Sequence, residues 1–412
     1  MSAIDAPPTA QPSDRALAKR TFRTECFRAV PSGYMEACAS SLFLLIALKG
    51  LGAGSTAKAI IAAGVSGGLL ASPLLLRFAQ RTKRPATVTA SWTMAFGGVA
   101  LFLGAAVGGV RAYAAATVLA MTSFNIVIPL LTTVYQRNYG AHERGRNVSL
   151  ALMVRFSASA VIAWFVGRWL DHHLASYRVV LVGAAVAMFV SAVLVLRLES
   201  EPIPDDRRRR LSDSLRLLAH DRVLASTMAS WMFVGFANLV TVPLRTEYLG
   251  NPRYGIDAKP SRVAFLIVAV PAVARVAMSP VFGLIFDRMS FFAIRIAVNI
   301  GFGVSIVAFF AGRSNTGLVF GSIAFGMSAA GGDILWNLWA TKLAPPDQVA
   351  DYMALHTFFT GLRGALAPFT AYWLVSHVSV ARVGAMAAVF VIIASMILIP
   401  DMRAARTAPA RC

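Results

Sequence analysis

Charge is scarce in this chain, and negative charge is the scarcest. Only 14% of its 412 residues are charged, whereas soluble domains carry about a quarter. The 19 acidic residues stand against 39 basic ones, and 57% of the chain is hydrophobic. So few charges cannot cover the surface of a soluble globule of this length. The composition excludes an ordinary soluble enzyme and is typical of a protein whose surface faces lipid.

Cysteine is nearly absent, and the sequence lacks the residue spacings that are typical of metal and catalytic sites. The three cysteines, Cys26, Cys38 and Cys412, contain no Cys-x-x-Cys pair, so neither a disulfide framework nor a zinc site is expected. The adjacent His172 and His173 have no further ligand cluster beside them. No Ser-His-Asp or paired-carboxylate spacing stands out. We therefore expect no metal, no cofactor and no enzymatic activity.

Apolar runs fill most of the remaining sequence. Twelve of them have about the 20 residues that a helix needs to cross a bilayer. They lie at roughly 28–50, 56–79, 86–109, 112–138, 147–170, 176–197, 223–246, 261–287, 291–312, 315–342, 349–376 and 380–400. The predicted fold class is an all-α polytopic membrane protein, with twelve transmembrane helices in two pseudo-symmetric six-helix bundles.

A basic polar segment divides the chain near its midpoint and contains four consecutive arginines at 207–210. We expect these arginines to anchor the orientation or to contact anionic lipid, and residues 211–218 to form a short amphipathic helix. The first twenty residues have no apolar core, so no cleavable signal peptide is expected. The predicted parts are a tail at 1–27, a bundle at 28–198, a linker at 199–222, a bundle at 223–400 and a tail at 401–412.

The net charge of +20 comes from an excess of basic residues, and the positions of these residues indicate the orientation of the chain in the membrane. In a soluble protein this charge would indicate a nucleic-acid partner. Here, with the amino terminus inside, 25 Lys and Arg fall on inner segments and 11 on outer ones. This asymmetry predicts a multi-pass protein of the cell inner membrane with both termini in the cytoplasm and no nucleic-acid partner. The outer segment 245–262 is unusually basic and fits the assignment least well.

The second half of the chain repeats the first in parallel order. The segment 72–81 matches 279–288 at an offset of 207, each with Ser-Pro followed at the same spacing by a polar residue and Arg. The segments 135–147 and 339–351, which join a fourth to a fifth span, match at an offset of about 204. Two nearly equal offsets indicate two related halves.

The loop after the eighth span carries a family motif. Residues 283–290 read Gly-Leu-Ile-Phe-Asp-Arg-Met-Ser, which resembles the G-x-x-x-D-R loop of the major facilitator superfamily. Two six-helix halves, a basic central loop and internal termini resemble that family over essentially the whole chain. The resemblance implies a secondary transporter that works by alternating access, with Gly283, Asp287 and Arg288 in a gating motif.

The first-half copy of this motif departs from the family pattern. Leu76 stands where glycine is expected, and Gln80 replaces the acidic residue before Arg81. In the family, the motif carboxylate can pair with basic residues across the cytoplasmic gate. That contact is therefore doubtful in the first half, and we expect Asp287 with Arg288 to supply it in the second.

Five charged residues fall well inside the predicted spans: Glu36, Arg155, Arg275, Asp333 and Arg363. Charges at this depth are costly and usually face a cavity or a partner. Glu36 and Arg155 both lie about 12 Å from the inner ends of their spans. Their helices are neighbours in the family that the chain resembles, so we expect an ion pair. Asp333 lies about 15 Å, and Arg275 and Arg363 about 20 Å, from the inner ends of their spans, so either arginine can reach Asp333.

Three arginines against two carboxylates leave one positive charge over. We hypothesise that it receives an anionic group of the substrate, and Arg363, between Gly361 and Gly364, is the better candidate. The alternative is that each charge only joins helices. Buried carboxylates make protons the natural coupling ion, with Glu36 or Asp333 as the carrier. A facilitator that needs no coupling ion is the alternative.

Asn125, Trp336 and Asn337 are weaker site candidates on helices expected to line the cavity, and His356 is a weaker proton carrier. The sequence thus predicts a secondary active transporter of a small solute, monomeric and surrounded by lipid. A multidrug-type efflux pump of the same fold and a non-transporting sensor or scaffold are the alternatives. A compact cavity centred on arginine favours a defined solute, a broad aromatic cavity favours multidrug export, and a filled or apolar cavity favours the scaffold.

Overall fold

The computed structural model describes residues 12–203, 211–345 and 348–407. It contains twelve long helices, some of which are interrupted by short π-helical or irregular turns. They are α1 (12–50), α2 (Ser55–Thr82), α3 (Ala86–Val107), α4 (Gly109–Asn138), α5 (Ala141–His173), α6 (Tyr177–Leu196), α7 (Arg222–Gly250), α8 (260–288), α9 (Phe291–Phe310), α10 (Asn315–Leu343), α11 (Val349–His377) and α12 (Val380–Thr407). These bounds agree with the predicted spans and confirm the fold class.

Most of these helices are long and apolar enough to span a bilayer. In the described chain, ten segments meet this condition by length and composition, and one of them, His142–Leu196, contains both α5 and α6. Only α11 is not among the ten. Its polar side chains, which include Arg363 and His356, lower its mean hydropathy.

The helices form two bundles, α1–α6 and α7–α12. Across their interface α2 packs on α11, α5 packs on α8, and the carboxyl-terminal half of α1 packs on both α7 and α8. We call the end of the molecule where α1 begins and α12 ends the near face. The opposite end, where α1 is followed by α2, is the far face.

The first helix begins well before the predicted start of the first span. α1 starts at Pro12, so much of the segment 1–27, predicted as a tail, is a helical extension of the span. Arg28 forms an ion pair with Glu25 at 2.6 Å, and Tyr135 Oη donates to the same carboxylate at 2.6 Å. These contacts fasten the extension to α4, a stabilisation that hydropathy does not reveal. α12 likewise continues past the predicted boundary at 400.

The linker contains the short helix that the sequence predicts. A helix at Leu211–His220 packs against α7 and α11. Asp221 then caps α7, since its side chain accepts a hydrogen bond from the backbone N–H of Leu224 at 2.9 Å. The arginine run at 207–210 lies outside the described residues.

Glycines allow the closest helix contacts inside each bundle. A Cβ on Gly68 of α2 would lie 2.7 Å from the carbonyl oxygen of Thr122 in α4. A Cβ on Gly326 of α10 would lie 2.3 Å from the carbonyl oxygen of Pro271 in α8. Both clashes involve backbone atoms that cannot rotate away. Small residues therefore set the separation of corresponding helix pairs in the two halves.

Gly326→Ala should destabilise the protein by about 1–3 kcal/mol, the usual effect of overpacking, and should lower the melting temperature in detergent. Gly332→Ala is the matched control in the same helix, because its Cβ would meet the ring of Phe302 at an ordinary 3.6 Å. Alanine is also the better helix former, so the control should melt at the wild-type temperature or slightly above it. Equal melting of the two variants would contradict this account of the contact.

Two π-helical turns interrupt the helices where the bundles meet. Cys38–Leu42 in α1 and Phe265–Ala269 in α8 touch each other across the interface. Such turns often occur at functional sites. They lie next to two of the charged residues that the sequence places inside the membrane, Glu36 and Arg275.

Candidate transport site and gates

The expected ion pair between Glu36 and Arg155 is present. Arg155 Nη2 donates to Glu36 Oε2 at 2.5 Å. α1 and α5 come close at this level because Gly33 lies against the backbone of Arg155 and the side chain of Ala158. The estimate of equal depth therefore placed both partners correctly.

Asp333 pairs with Arg275, one of the two partners that the sequence allows. Arg275 donates to both carboxylate oxygens of Asp333, through Nε and Nη2. This bidentate geometry fixes the orientation of both side chains. The contact joins α8 to α10 close to Gly326, which permits their approach.

The two ion pairs belong to different bundles but meet at one aromatic ring. Phe156 of α5 lies below both guanidinium groups, with the Cζ of Arg275 3.8 Å and the Cζ of Arg155 5.6 Å from its ring centroid. The carboxylate of Glu36 also interacts electrostatically with Arg275 across the interface. We call Glu36, Arg155, Arg275 and Asp333 the central network. Its formal charges cancel.

A small cavity adjoins the central network between the bundles. It measures about 60 Å³, and Glu36, Ser40, Ser159 and Arg275 line it together with apolar residues of α8 and α10. This volume holds a few water molecules. The charged side chains of the network remain partly accessible, up to 35% for Asp333. Acidic and basic side chains thus line a space inside the membrane-spanning region that is large enough for water.

Arg363 does not join the central network. Its Nη1 donates to the carbonyl oxygen of Trp231 at 2.7 Å, and its Nη2 donates to Thr360 Oγ1 at 3.0 Å. Gly361 and Gly364, expected to let a ligand approach the backbone beside Arg363, are instead packed against the other bundle. Both glycines face α2, where a Cβ would meet Leu70 and Ser66 respectively. Arg363 points from another side of α11, into the carboxyl-terminal bundle.

The weaker candidates occupy different surroundings. Asn125 Nδ2 donates to the backbone oxygen of Met121 within α4, at 2.8 Å. Asn337 is exposed and donates to the backbone oxygen of Asp333 at 2.8 Å. Trp336 is half-buried, and its ring centroid lies 5.6 Å from that of His356. Both asparagines thus bond within their own helices, and Asn337 and Trp336 stand within about one helical turn of Asp333.

The loop motif is only partly described. Arg288 and Arg81 are exposed, Gln80 is half-buried, and open space surrounds Gly283. The side chain of Asp287 lies outside the described residues, so its gating contact stays a prediction. Lys342 of α10 donates to the backbone oxygens of Phe286 and Met289, which fastens the motif segment to the near end of α10.

Ion pairs that the sequence did not predict join the bundles at the far face. Lys58 Nζ lies 2.7 Å from Glu247 Oε2, and the two side chains are only 7% and 3% exposed. Asn251 donates to the other oxygen of Glu247 at 2.7 Å. Lys49 pairs with Asp257 at 2.5 Å on the exposed rim. The clue in the sequence was position, because Lys58 and Glu247 both stand at the far ends of their spans.

Two hydrogen bonds also join the bundles at the far face. The hydroxyl groups of Ser41 and Thr246 lie 3.4 Å apart. The carboxylate of Asp171, at the end of α5, accepts the backbone N–H of Ser261, at the start of α8, at 2.9 Å. Together with the ion pairs, these bonds hold α1, α2 and α5 against the far halves of α7 and α8. We call this set of contacts the far gate.

Two arginines that the charge count assigned to the faces are buried in the carboxyl-terminal bundle. Arg245 Nη2 donates to Ser305 Oγ at 2.7 Å, and its guanidinium lies 4.2 Å from the ring centroid of Phe325. Arg295 lies 3.5 Å from the ring centroid of Trp231. The count missed them because a long side chain near a span end can turn inward. The basic excess of the near-face segments remains without them.

Comparisons with known proteins agree with this architecture. The sequence profile of the Major Facilitator Superfamily matches residues 29–368, and a search of curated proteins gave no match. The nucleoside transporter NupG aligns with a TM-score of 0.72 at 13% identity, over 95% of this chain and 100% of that one. A D-xylose-proton symporter aligns with 0.65 at 12%, over 93% and 97%.

An inward-facing, occupied structure of a bacterial homologue of the human lysosomal transporter Spinster aligns with a TM-score of 0.67 at 12% identity, over 96% of this chain and 98% of that one. At these identities the alignments show the fold alone. The profile match, which covers most of the chain, shows more. This multi-pass membrane protein belongs to the Major Facilitator Superfamily and is a transporter, not an enzyme.

Proposed function

We propose that the protein is a secondary active transporter that moves a small, anionic solute by alternating access, coupled to protons. The observation that carries this proposal is the central network. Ion pairs from both bundles meet beside a hydrated cavity at mid-membrane depth, where the substrate sites of such transporters lie. Rocking of the bundles about this point would separate Arg155 and Glu36 from Arg275.

The far gate supports an orientation for this conformation. Because the far gate closes the far face, we infer that the network opens toward the near face. The excess of Lys and Arg on near-face segments favours a cytoplasmic near face with both termini inside. We therefore propose that the structure is an inward-facing state in the inner membrane.

Charge and cavity size support a defined solute. Arg363 is buried without a carboxylate partner among the described residues, and a surplus positive charge favours an anionic ligand. The cavity is compact, Glu36 and Arg275 reach it, and Phe325 is the one aromatic side chain among the described residues that line it, which disfavours multidrug export. Ionised groups at a hydrated cavity disfavour a non-transporting scaffold. The solved structures of similar fold include a nucleoside transporter and a D-xylose-proton symporter, so this fold can carry small polar solutes.

Identifying the solute requires a binding screen. A ligand that binds only the native state raises the melting temperature by mass action. We would screen purified protein in detergent against organic acids, phosphates, sugars, nucleosides and lipophilic cations at two pH values. An organic anion among the hits would support the proposal, whereas stabilisation by lipophilic cations alone would support multidrug export.

Collapse of the pH gradient should abolish uphill accumulation of the solute in vesicles. With one proton per solute, a gradient of one pH unit sustains about tenfold accumulation, and the ratio should return to one after nigericin. The coupling would use a carboxylate of the central network, which can take up a proton when substrate competes for its arginine. Protein-free vesicles are the control. Facilitated uptake that never exceeds equilibrium, with or without the gradient, would establish a facilitator instead.

A further inference from the structure

Two buried arginines flank one tryptophan in the carboxyl-terminal bundle. The Cζ atoms of Arg295 and Arg363 lie 3.5 Å and 6.0 Å from the ring centroid of Trp231. The two residues are only 2% and 4% exposed. Among the described residues, neither has a carboxylate partner. Stacking on an indole compensates a buried cation only in part, so two like charges are held close together without neutralisation.

Unpaired polar atoms surround the same indole. Within the described part of the chain, the Nε atoms of Arg295 and Arg363 and both ring nitrogens of His356 have no hydrogen-bond partner. The ring of His356 lies 4.5 Å from that of Trp231. Asn299, one turn beyond Arg295 in α9, is fully buried and its side-chain amide is also unpaired. Hydrogen-bond donors therefore predominate around two buried positive charges.

The chemistry that satisfies this cluster is that of an oxyanion. A carboxylate or phosphate accepts several hydrogen bonds at once and pairs strongly with guanidinium groups. A neutral sugar or a water molecule could satisfy the hydrogen bonds but would leave both charges uncompensated. A cation would be repelled.

Trp336 borders the cluster on the side of α10. This residue is half-buried, packs against His356, and stands on α10 between Asp333 and Asn337. Asp333 belongs to the central network beside the cavity and is 35% exposed, and Asn337 is exposed. Reorientation of the Trp336 indole would therefore join the cavity beside the central network to the cluster.

We propose that Arg295 and Arg363 form a binding subsite for an oxyanion, with Trp336 as the side chain that closes it toward the central cavity. The proposal rests on the proposed function and deepens it. It names a carboxylate or phosphate as the charged group of the solute, and it adds Arg295, which the charge count had placed at the cytoplasmic face.

Binding can be measured on purified full-length protein in detergent, without transport. Thermal unfolding is followed during titration with benzoate, inorganic phosphate or citrate, against sodium chloride at equal ionic strength and against neutral benzamide. At least one oxyanion should raise the melting temperature saturably, and benzamide should not. Arg295→Gln and Arg363→Gln should each weaken this response by about tenfold or more. Arg245→Gln is the matched control, a buried arginine of the same bundle bonded to Ser305, and should respond as the wild type does.

The melting temperatures of the variants without ligand distinguish a binding role of the two arginines from a structural one. Removing an uncompensated buried charge should leave the melting temperature of either Gln variant unchanged or raise it. A marked fall would mean that the arginine only joins helices, and would overturn the proposal. If a Gln variant yields no folded protein, Arg363→Lys keeps the charge but loses the planar fork, and should retain a weakened oxyanion response.

Absence of a saturable response to all three oxyanions in the wild type would also overturn the subsite, as would an equal response to benzamide. These outcomes leave the transport function intact, since a neutral solute could still be carried in vesicles. Conversely, a protein that binds an oxyanion but moves no solute would retain the subsite and lose the proposed transport function.

Discussion

Asp333→Asn should reduce transport by at least about a hundredfold while the protein still reaches the membrane. The change leaves Arg275 charged and without its bidentate partner in the central network. Breaking a fully buried ion pair costs about 3–5 kcal/mol. Because Asp333 is 35% exposed, water offsets part of this cost, and we expect the lower end of the range or less. Solute uptake in vesicles and melting in detergent measure the two effects.

The double variant Asp333→Asn with Arg275→Gln separates charge balance from function. It restores neutrality, so its melting temperature should lie above that of either single variant. Transport should remain lost, because the groups proposed to face the solute are gone. Asp401→Asn is the matched control, since this carboxylate accepts a hydrogen bond from Ser226 in α7 away from the cavity. A double variant that transports at the wild-type rate would show that the pair only joins α8 to α10.

Glu247→Gln should open the far gate. The far-closed state buries Lys58 against Glu247, with both side chains almost fully enclosed. Loss of the carboxylate leaves the ammonium group buried and unpaired, which destabilises this state by several kcal/mol relative to one in which Lys58 is hydrated. Every 1.4 kcal/mol changes the ratio of the two states about tenfold. The population should therefore shift by tenfold or more toward far-open states.

Cysteine labelling measures this shift. A cysteine replacing Ser41, which contacts Thr246 inside the far gate, is introduced after Cys26, Cys38 and Cys412 are changed to serine. Its reaction with a membrane-impermeant maleimide, applied from the far side of oriented vesicles, should accelerate about tenfold or more with Glu247→Gln.

The rim pair supplies the control for this experiment. Asp257, the partner of Lys49, is 56% exposed, and exposed pairs contribute only about 0–1 kcal/mol. Asp257→Asn should therefore change the labelling rate little. Equal rates for Glu247→Gln and Asp257→Asn would mean that the buried pair does not control the far gate.

Much of the fold could be predicted from the sequence, because each segment that crosses a bilayer must form a helix of bilayer length. Apolar runs of bilayer length fix the number of helices, and the 207-residue offset between segments 72–81 and 279–288 indicates two related halves. The rise of 1.5 Å per residue then gives the depth of each charge. That depth, with the order of helices in the resembled family, was sufficient to pair Glu36 with Arg155.

The depth of a charge in the membrane did not identify its partner where several candidate partners lie at one depth. Arg275 and Arg363 have similar depths, and only the packing of α8 against α10 at Gly326 decided that Asp333 meets Arg275. Arg295 and Arg245 were counted as face residues because a span boundary says nothing about the direction of a long side chain. These assignments depend on rotation about the helix axis, which hydropathy leaves open in a chain this apolar.

The sequence by itself thus determined the membrane class, the two halves, and the shared level of Glu36 and Arg155. Those properties follow from transfer free energy and helical rise, which act on each segment separately. Tertiary structure alone decided which charges meet, that Lys58 and Glu247 close the far gate, and that Arg295 and Arg363 share one indole. These are contacts between helices distant in sequence, and they depend on how twelve helices pack together.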